Sequence, residues 1–245
     1  MRVAIGQDVG KERQNNEDQL AVHAEQGMFL LADGMGGREG GEIASAMAVS
    51  AAEQRLLEGL DDVRDEEGLA RVQLAALESA HRAVQARAQQ EGRLKGMGTT
   101  LLEVVLRQGK AYICSVGDSR VYLLREGLSQ LTTDQTVGHH LLNDRGISRD
   151  KIAPRQWHVL TQAVGQEGPL DPELVRVALK EGDLLMLCSD GLSDMLNDEQ
   201  IRQILSHRGR QVDELVADLI AAANREGGRD NISVILVLVD DPASY

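Results

Sequence analysis

At 245 residues the chain is long enough for one large domain with a full core, and 42% apolar residues are enough to fill it. The formal net charge of -13 repels polyanions at long range, and one Trp, one Phe and three Tyr leave little surface for stacking bases or sugars, so nucleic acid is disfavoured as a partner. Cys114 and Cys188 both lie inside apolar runs and read as small buried hydrophobes rather than as ligands or a disulfide. Met1 to Gly6 lacks the apolar stretch of a signal peptide, and no window approaches the roughly 18 to 20 uncharged apolar residues of a membrane span. A soluble, cytoplasmic protein is expected.

In chain order, Val3 to Val9, Gln19 to Ala24 and Gly27 to Asp33 read as strands, with Glu25-Gln26-Gly27 as a hairpin connection. The period then changes: small and apolar residues recur at three and four from Gly41 to Leu60, and again from Glu66 to Gln90, predicting two long helices. Gly98-Thr99-Thr100 opens a run of strands at Leu101 to Leu106, Ala111 to Val116 and Val121 to Leu124. Residues from about 132 to 172 carry weak periodicity, two short helical patches and three prolines, and read as a surface flap. Strands follow at Val175 to Leu179 and Leu184 to Cys188, helices at Asp198 to Ser206 and Val212 to Arg225, and a last strand at Ile232 to Val239. This order lacks the alternation of a doubly wound parallel sheet. It predicts an α+β fold, with two stacked antiparallel sheets flanked by helices and a flap, as a single domain over residues 1–245.

Asp33, Asp118 and Asp190 each end an apolar run, and Asp230 precedes one, so four carboxylates are expected at the mouths of buried strands. Carboxylates gathered this way repel and raise one another's pKa unless a cation holds them. An oxygen-rich set, poor in His and Cys, selects Mg²⁺, Mn²⁺ or Ca²⁺ over zinc or copper. Arg13 lies near Glu12, Glu17 and Asp18 on a loop between strands, where its planar fork suits a phosphate. Taken singly, an Asp-Gly after a strand is usually only a turn.

The joint order is more specific. Asp8-x-Gly-x-x-Arg13-x-x-Asn16-Glu17-Asp18, Asp33-Gly34-x-Gly-Gly, Gly98-Thr99-Thr100, Val116-Gly117-Asp118-Ser119-Arg120, Leu160 to Gly165, Cys188-Ser189-Asp190-Gly191-Leu192 and Gly228-Arg229-Asp230-Asn231 follow one another across the chain. This resembles the bacterial members of the protein phosphatase 2C family, metal-dependent serine/threonine phosphatases.

The resemblance implies a four-layer αββα sandwich and two, with a third, Mg²⁺ or Mn²⁺ ions. Asp33 would bridge two metals, the Gly34 carbonyl would serve the first, and Asp190 and Asp230 the second. Glu17 and Asp18 would act through water, and Asp118 with Asp190 would form a third site. Arg13 would bind the substrate phosphate, making Arg13, Asp33 and Asp190 the catalytic set. Implied partners are phosphorylated proteins and an opposing bacterial kinase, with the enzyme itself a monomer. Eukaryotic relatives carry a histidine after the first Asp-Gly as the acid for the leaving group, where this chain has Met35, leaving the acid unassigned, with a metal-bound water, His139 or His140 of the flap as candidates. Asp134-Gln135-Thr136 stands where bacterial relatives commonly show Asp-His-Ser/Thr. The competing reading is a phosphoprotein-binding module without turnover. Such modules usually lack a metal-binding acid, and all four candidates are present here.

Overall fold

The computed structural model describes residues 1–207 and 209–242, with backbone alone for residues 37–39. Residues 208 and 243–245, which the single-domain expectation includes, lie outside the described residues. The first half contains β1 (Arg2–Asp8), β2 (Asp18–His23), β3 (Met28–Met35), α1 (Gly37–Leu60), α2 (Glu66–Gln90), β4 (Gly98–Thr99), β5 (Leu101–Arg107), β6 (Lys110–Val116), β7 (Arg120–Leu124) and β8 (Leu128–Gln130). The second contains α3 (Val137–Asn143), β9 (Glu173–Ala178), β10 (Leu184–Cys188), α4 (Asp190–Ser193), α5 (Asp198–Leu205), α6 (Val212–Arg225) and β11 (Ile232–Leu238).

One sheet runs β1-β11-β10-β7-β8; the other runs β2-β3-β5-β6-β9, with β4 attached to β3. The named ladders are antiparallel, as the hairpin-rich order predicts. Strand side chains alternate between faces. Met28, Leu30 and Ala32 of β3 therefore join the core beneath α1 and α2, while Phe29 and Leu31 enter the layer between the sheets. In β11, Val234 and Leu236 meet α5 and α6, whereas Ile235 and Val237 face the other sheet. A helix layer on the outer face of each sheet and a largely apolar layer between the sheets make the expected αββα sandwich.

The helices dock closely because small residues line α1. At Gly59 an added Cβ would lie 2.8 Å from Val72 Cγ1, so the crossing of α1 and α2 leaves no room for a side chain. Asp65 caps α2 by accepting from Gly68 N, and Arg107 donates to the Leu60 carbonyl at the end of α1. No helix among the described residues is long and apolar enough to cross a membrane.

Most strand ends lie within two residues of the sequence reading, and the larger differences are these. β3 continues past Asp33 to Met35, because Gly34 and Met35 pair with Thr99 and Gly98 of β4. Asp33 thus lies within a strand rather than at its end. α1 begins at Gly37, four residues before the expected start, β8 is an added short strand, and α4 begins at Asp190 itself. The flap contains α3 and two 3₁₀ turns, Arg149–Lys151 and Pro154–His158, and is tied to the body by bridges Thr99↔Val164 and Thr136↔Leu160.

One acid sits in the wrong solvent. Glu103 of β5 is wholly buried under α2, opposite Leu30 and Cys114, with neither carboxyl oxygen hydrogen-bonded. Burial pushes its pKa well above the ordinary 4.5. The folded chain therefore keeps a proton that the unfolded chain loses above about pH 4.5, and stability falls with rising pH until the buried carboxyl ionises. The slope is about 1.4 kcal/mol per pH unit. Glu103→Gln should remove this component: denaturant titrations from pH 5 to 8 are expected to show the wild type losing stability relative to the variant, and parallel curves would refute it.

Candidate active site

Asp18 of β2 and Asp33 of β3 are direct cross-strand partners. Asp33 shares the parity of Phe29 and Leu31, so it ends the row of side chains that fills the inter-sheet layer. The opposite sheet replies with serines at equivalent parity. Ser189 Oγ donates to Asp18 Oδ2 at 2.8 Å, Ser233 N donates to Ser189 Oγ at 3.0 Å, and Gln7 Nε2 donates to Ser233 Oγ at 3.0 Å. This polar layer ties the two sheets together beneath the cleft. The second oxygen, Asp18 Oδ1, is buried without a hydrogen-bond partner.

The Gly-Thr-Thr segment holds the backbone of Asp33. Asp33 N donates to Thr100 Oγ1 at 2.8 Å, and both Thr100 N and Thr99 Oγ1 donate to the Asp33 carbonyl at 2.8 Å. Thr100 Oγ1 also meets Ser119 Oγ at 2.8 Å, which links Asp33 to the turn carrying Asp118.

The loop carrying Arg13 is laced to the end of β11. Asp8 Oδ1 accepts from Gly10 N at 2.8 Å and from Asn224 Nδ2 at 3.1 Å, and Lys11 N donates to the Gly228 carbonyl at 2.6 Å. Gly10 has φ +79°, and a Cβ there would stand 2.3 Å from the Asp230 carbonyl, which only glycine avoids. Asn231 is buried and fully engaged: its Oδ1 accepts from Glu17 N at 2.8 Å, and its Nδ2 donates to the Val9 and Asn15 carbonyls at 2.9 Å each. Arg13 Nη2 then reaches Asp230 Oδ2 at 2.5 Å, with Glu17 at 3.9 Å from Nη1.

Arg13, Glu17, Asp33, Gly34, Asp118, Asp190 and Asp230 line one cleft of about 530 Å³. Asp18 lies below its floor. The acids interact as like charges in a partly dehydrated place. Burial first, then Asp18, Asp190, Asp118 and Asp230, push the Asp33 pKa well above its ordinary value. Burial, then Asp190, Asp134 and Asp194, do the same to Asp118. Burial, then Asp194 and Asp230, raise Asp190 to about 6, and burial raises Asp18 to about 7 against its hydrogen bonds from Ser233 and Ser189. For Arg13, burial opposes the charge, but Asp230, Glu17 and Asp33 favour it and leave its pKa raised.

Among the described residues, no three His, Cys, Asp or Glu side chains are drawn close enough to clasp an ion as they stand. The donor set nonetheless fits a hard divalent cation: all its atoms are oxygens, the acids repel one another, and one buried oxygen lacks a partner. A cation would reverse the pKa shifts that the acids impose on one another.

The two flap histidines singled out from the sequence do not line this cleft. His139 Nδ1 engages Thr136 Oγ1 at 3.0 Å and its ring stands edge-on to Trp157, while His140 Nδ1 pairs with Asp144. Gln135 is a hinge contact: its Oε1 accepts from Gly117 N at 2.7 Å and its N donates to the Gly117 carbonyl. Met35 lines the cleft without a proton to give. His158 and Leu160 of the flap also line it, and neither was picked out as a site residue from the sequence. Asp8, Thr99, Thr100, Ser189 and Asn231 stood within the ordered motifs, but their work as scaffolding was not readable there. Gln7, Asn224 and Ser233 left no signal.

A family model described as protein phosphatase 2C matches residues 5–236. The serine/threonine protein phosphatase PstP of Mycobacterium tuberculosis is 37% identical over 98% of this chain, which spans only 45% of that protein's length. The serine/threonine phosphatase stp of Listeria innocua is 35% identical, over 97% of this chain and 95% of its own. Among solved structures, the catalytic domain of PstP in complex with two manganese ions is 36% identical, covers 98% of each chain and superposes with a TM-score of 0.83. This chain belongs to the protein phosphatase 2C family.

Proposed function

We propose that the chain is a single-domain, divalent-metal-dependent phosphatase that hydrolyses phosphoserine and phosphothreonine in proteins. The observation that carries this reading is the convergence of Asp33, Asp118, Asp190 and Asp230 with the guanidinium of Arg13 in one cleft. The acids supply oxygens for cations, and the arginine supplies a fork for the phosphate. Family membership and the manganese-bound relative support it.

Asp33, the Gly34 carbonyl, Asp190 and Asp230 would hold two Mg²⁺ or Mn²⁺ ions, with Glu17 and Asp18 acting through water and Asp118 with Asp190 holding a third. When bound, such ions lower the pKa of water and polarise the phosphoryl group. The protein's own groups do the rest. Arg13 swings from Asp230 onto the phosphoryl oxygens and offsets the charge that builds there. Asn231 keeps the Arg13 and Glu17 loop in register with Asp230. Thr99 and Thr100 fix the backbone of Asp33, so its carboxylate does not reorganise during turnover. Phosphoproteins are the proposed partners, as substrates of an opposing kinase, and a monomer working in the cytoplasm is the simplest arrangement.

The decisive test is phosphate release from a phosphothreonine peptide after EDTA treatment and on adding back Mn²⁺ or Mg²⁺. Metal-restored release is expected, and none with any divalent ion would shift the reading to a phosphoprotein-binding module. Asp33→Asn and Asp190→Asn should each leave no more than a few per cent of wild-type turnover while the fold, by circular dichroism, stays intact. Metal-free Asp33→Asn should also melt above the metal-free wild type, because one repelling charge is gone, and should gain less from Mn²⁺. Asp118→Asn should slow turnover and raise the Mn²⁺ concentration needed for half-maximal rate, and identical Mn²⁺ titrations would remove Asp118 from the metal account. Asn231→Asp replaces two N–H donors with a carboxylate oxygen that faces the Val9 and Asn15 carbonyls, and kcat/KM should fall roughly tenfold to a hundredfold. In an Arg13→Ala background the same change should cost much less, whereas full additivity would show that Asn231 does not act through Arg13.

A further inference from the structure

Met35 has no proton to donate, and neither His139 nor His140 lines the cleft that holds Arg13 and Asp33, His139 lining only the neighbouring cavity beneath the flap, so the departing oxygen of a seryl or threonyl phosphate lacks an assigned acid. The cleft supplies one. His158, at the end of the second 3₁₀ turn of the flap, lines the same cleft as Arg13, Asp33, Asp118, Asp190 and Asp230. It also lines a neighbouring cavity of about 700 Å³ beneath the flap, which shares Asp118 and Asp190 with the first. His158 therefore forms part of the wall between the two.

Its ring is held from behind. His158 Nδ1 lies 2.9 Å from Asp194 Oδ2, and Asp194 caps the C-terminal end of α4, the short helix that opens at Asp190. A carboxylate that accepts from Nδ1–H fixes the tautomer and leaves Nε2 as the nitrogen that meets a ligand. A ring that keeps its Nδ1 proton against Asp194 can carry a second proton only on Nε2. Other charges act around it: Asp190 feels the field of His158, and Asp194 feels those of His158, Arg120 and Asp134. The His158 side chain is 55% exposed, so it is open to an incoming phosphoprotein rather than sealed in the core.

Building on the phosphatase reading, we propose that His158, oriented by Asp194, is the general acid that protonates the leaving serine or threonine oxygen. The bond between phosphorus and the side-chain oxygen breaks as the bond from a water oxygen to phosphorus forms. The Nε2 proton passes to the departing oxygen, which leaves as a neutral alcohol. The ring then takes a proton from solvent, the attacking water gives its proton to solvent, and nothing is oxidised or reduced. An alkoxide is a poor leaving group, so a positioned acid is worth on the order of 10² to 10⁴ in rate. The nitro-stabilised phenolate of para-nitrophenyl phosphate leaves without such help.

The test compares Mn²⁺-loaded wild type, His158→Gln and His158→Ala on a phosphothreonine peptide and on para-nitrophenyl phosphate. The ratio of peptide kcat to nitrophenyl kcat should fall on the order of a hundredfold in both variants. Asp194→Asn should lower that ratio by a smaller factor. A ratio within about twofold of wild type would overturn the assignment, because a structural role for His158 would depress both substrates together. A second readout needs no metal or turnover: the ring-nitrogen NMR shifts of neutral His158 should report the Nδ1–H tautomer in the wild type and move toward Nε2–H in Asp194→Asn. An Nε2–H tautomer in the wild type would overturn the orienting role of Asp194. If the wild type hydrolyses neither substrate with any divalent ion, the phosphatase reading itself fails; if it hydrolyses both and the ratio holds, only the acid is wrong.

Discussion

Asp18 and Asp33 face one another across β2 and β3 at the place where the apolar filling between the sheets gives way to acids. Every nearby feature answers the cost of that arrangement. Asp118, Asp190 and Asp230 add like charge from loops and a helix start, and burial with mutual repulsion lifts the pKa of Asp33 and Asp190. The acids are partly dehydrated, so the cost is relieved by protons, by hydrogen bonds from Ser189 and Ser233, or by cations. A protein that carries this repulsion in its metal-free state is poised to bind divalent ions.

The sandwich is what makes such a site buildable. Antiparallel ladders bring strand ends from both sheets to one edge of the inter-sheet layer, and regular alternation turns Asp18, Asp33, Ser189 and Ser233 into that layer rather than toward the helices. The loops that complete the cleft borrow rigidity from these strands. Asn231 at the head of β11 anchors the Arg13 loop through three hydrogen bonds, and Gln135 anchors the flap to the turn before Asp118. The Arg13 loop and the flap are thus held by hydrogen bonds to these strands, while the Arg13 side chain stays half-exposed beside Asp230.

Glu103 shows the same physics without the compensation. It lies under α2 with no partner for either carboxyl oxygen, and burial alone pushes its pKa well above the ordinary value. Its alternation places it on the helix side with Leu101 and Val105, one layer away from the cleft. Glu103 and Asp33 therefore differ in strand parity and in place along the strand: Asp33 lies at the cleft end of the inter-sheet row, beside other acids, and Glu103 on the helix side, away from them.

Periodicity in the chain was enough to give the two long helices, most strands and the layered class, because apolar spacing reports which face of an element is buried. The oxygen-only donor set and the separate positions of Asp33, Asp190 and Asp230 were also legible, since each adjoins a strongly apolar run. β8 and α4 escaped because elements of three and four residues carry too little pattern. The run of β3 through Asp33 to Met35 depended on pairing with Gly98 and Thr99, more than sixty residues away, which no local window contains. The choice among flap histidines was likewise tertiary. His139 and His140 stand next to one another and drew notice, yet their rings are taken by Thr136, Trp157 and Asp144. His158 lines the cleft, and its Nδ1 lies 2.9 Å from Asp194, the residue that follows the short helix after β10. The sequence by itself determined which chemistry was available and which faces were buried. Only the folded chain decided which of those groups share a cleft, because that depends on hydrogen bonds and register between segments far apart in sequence.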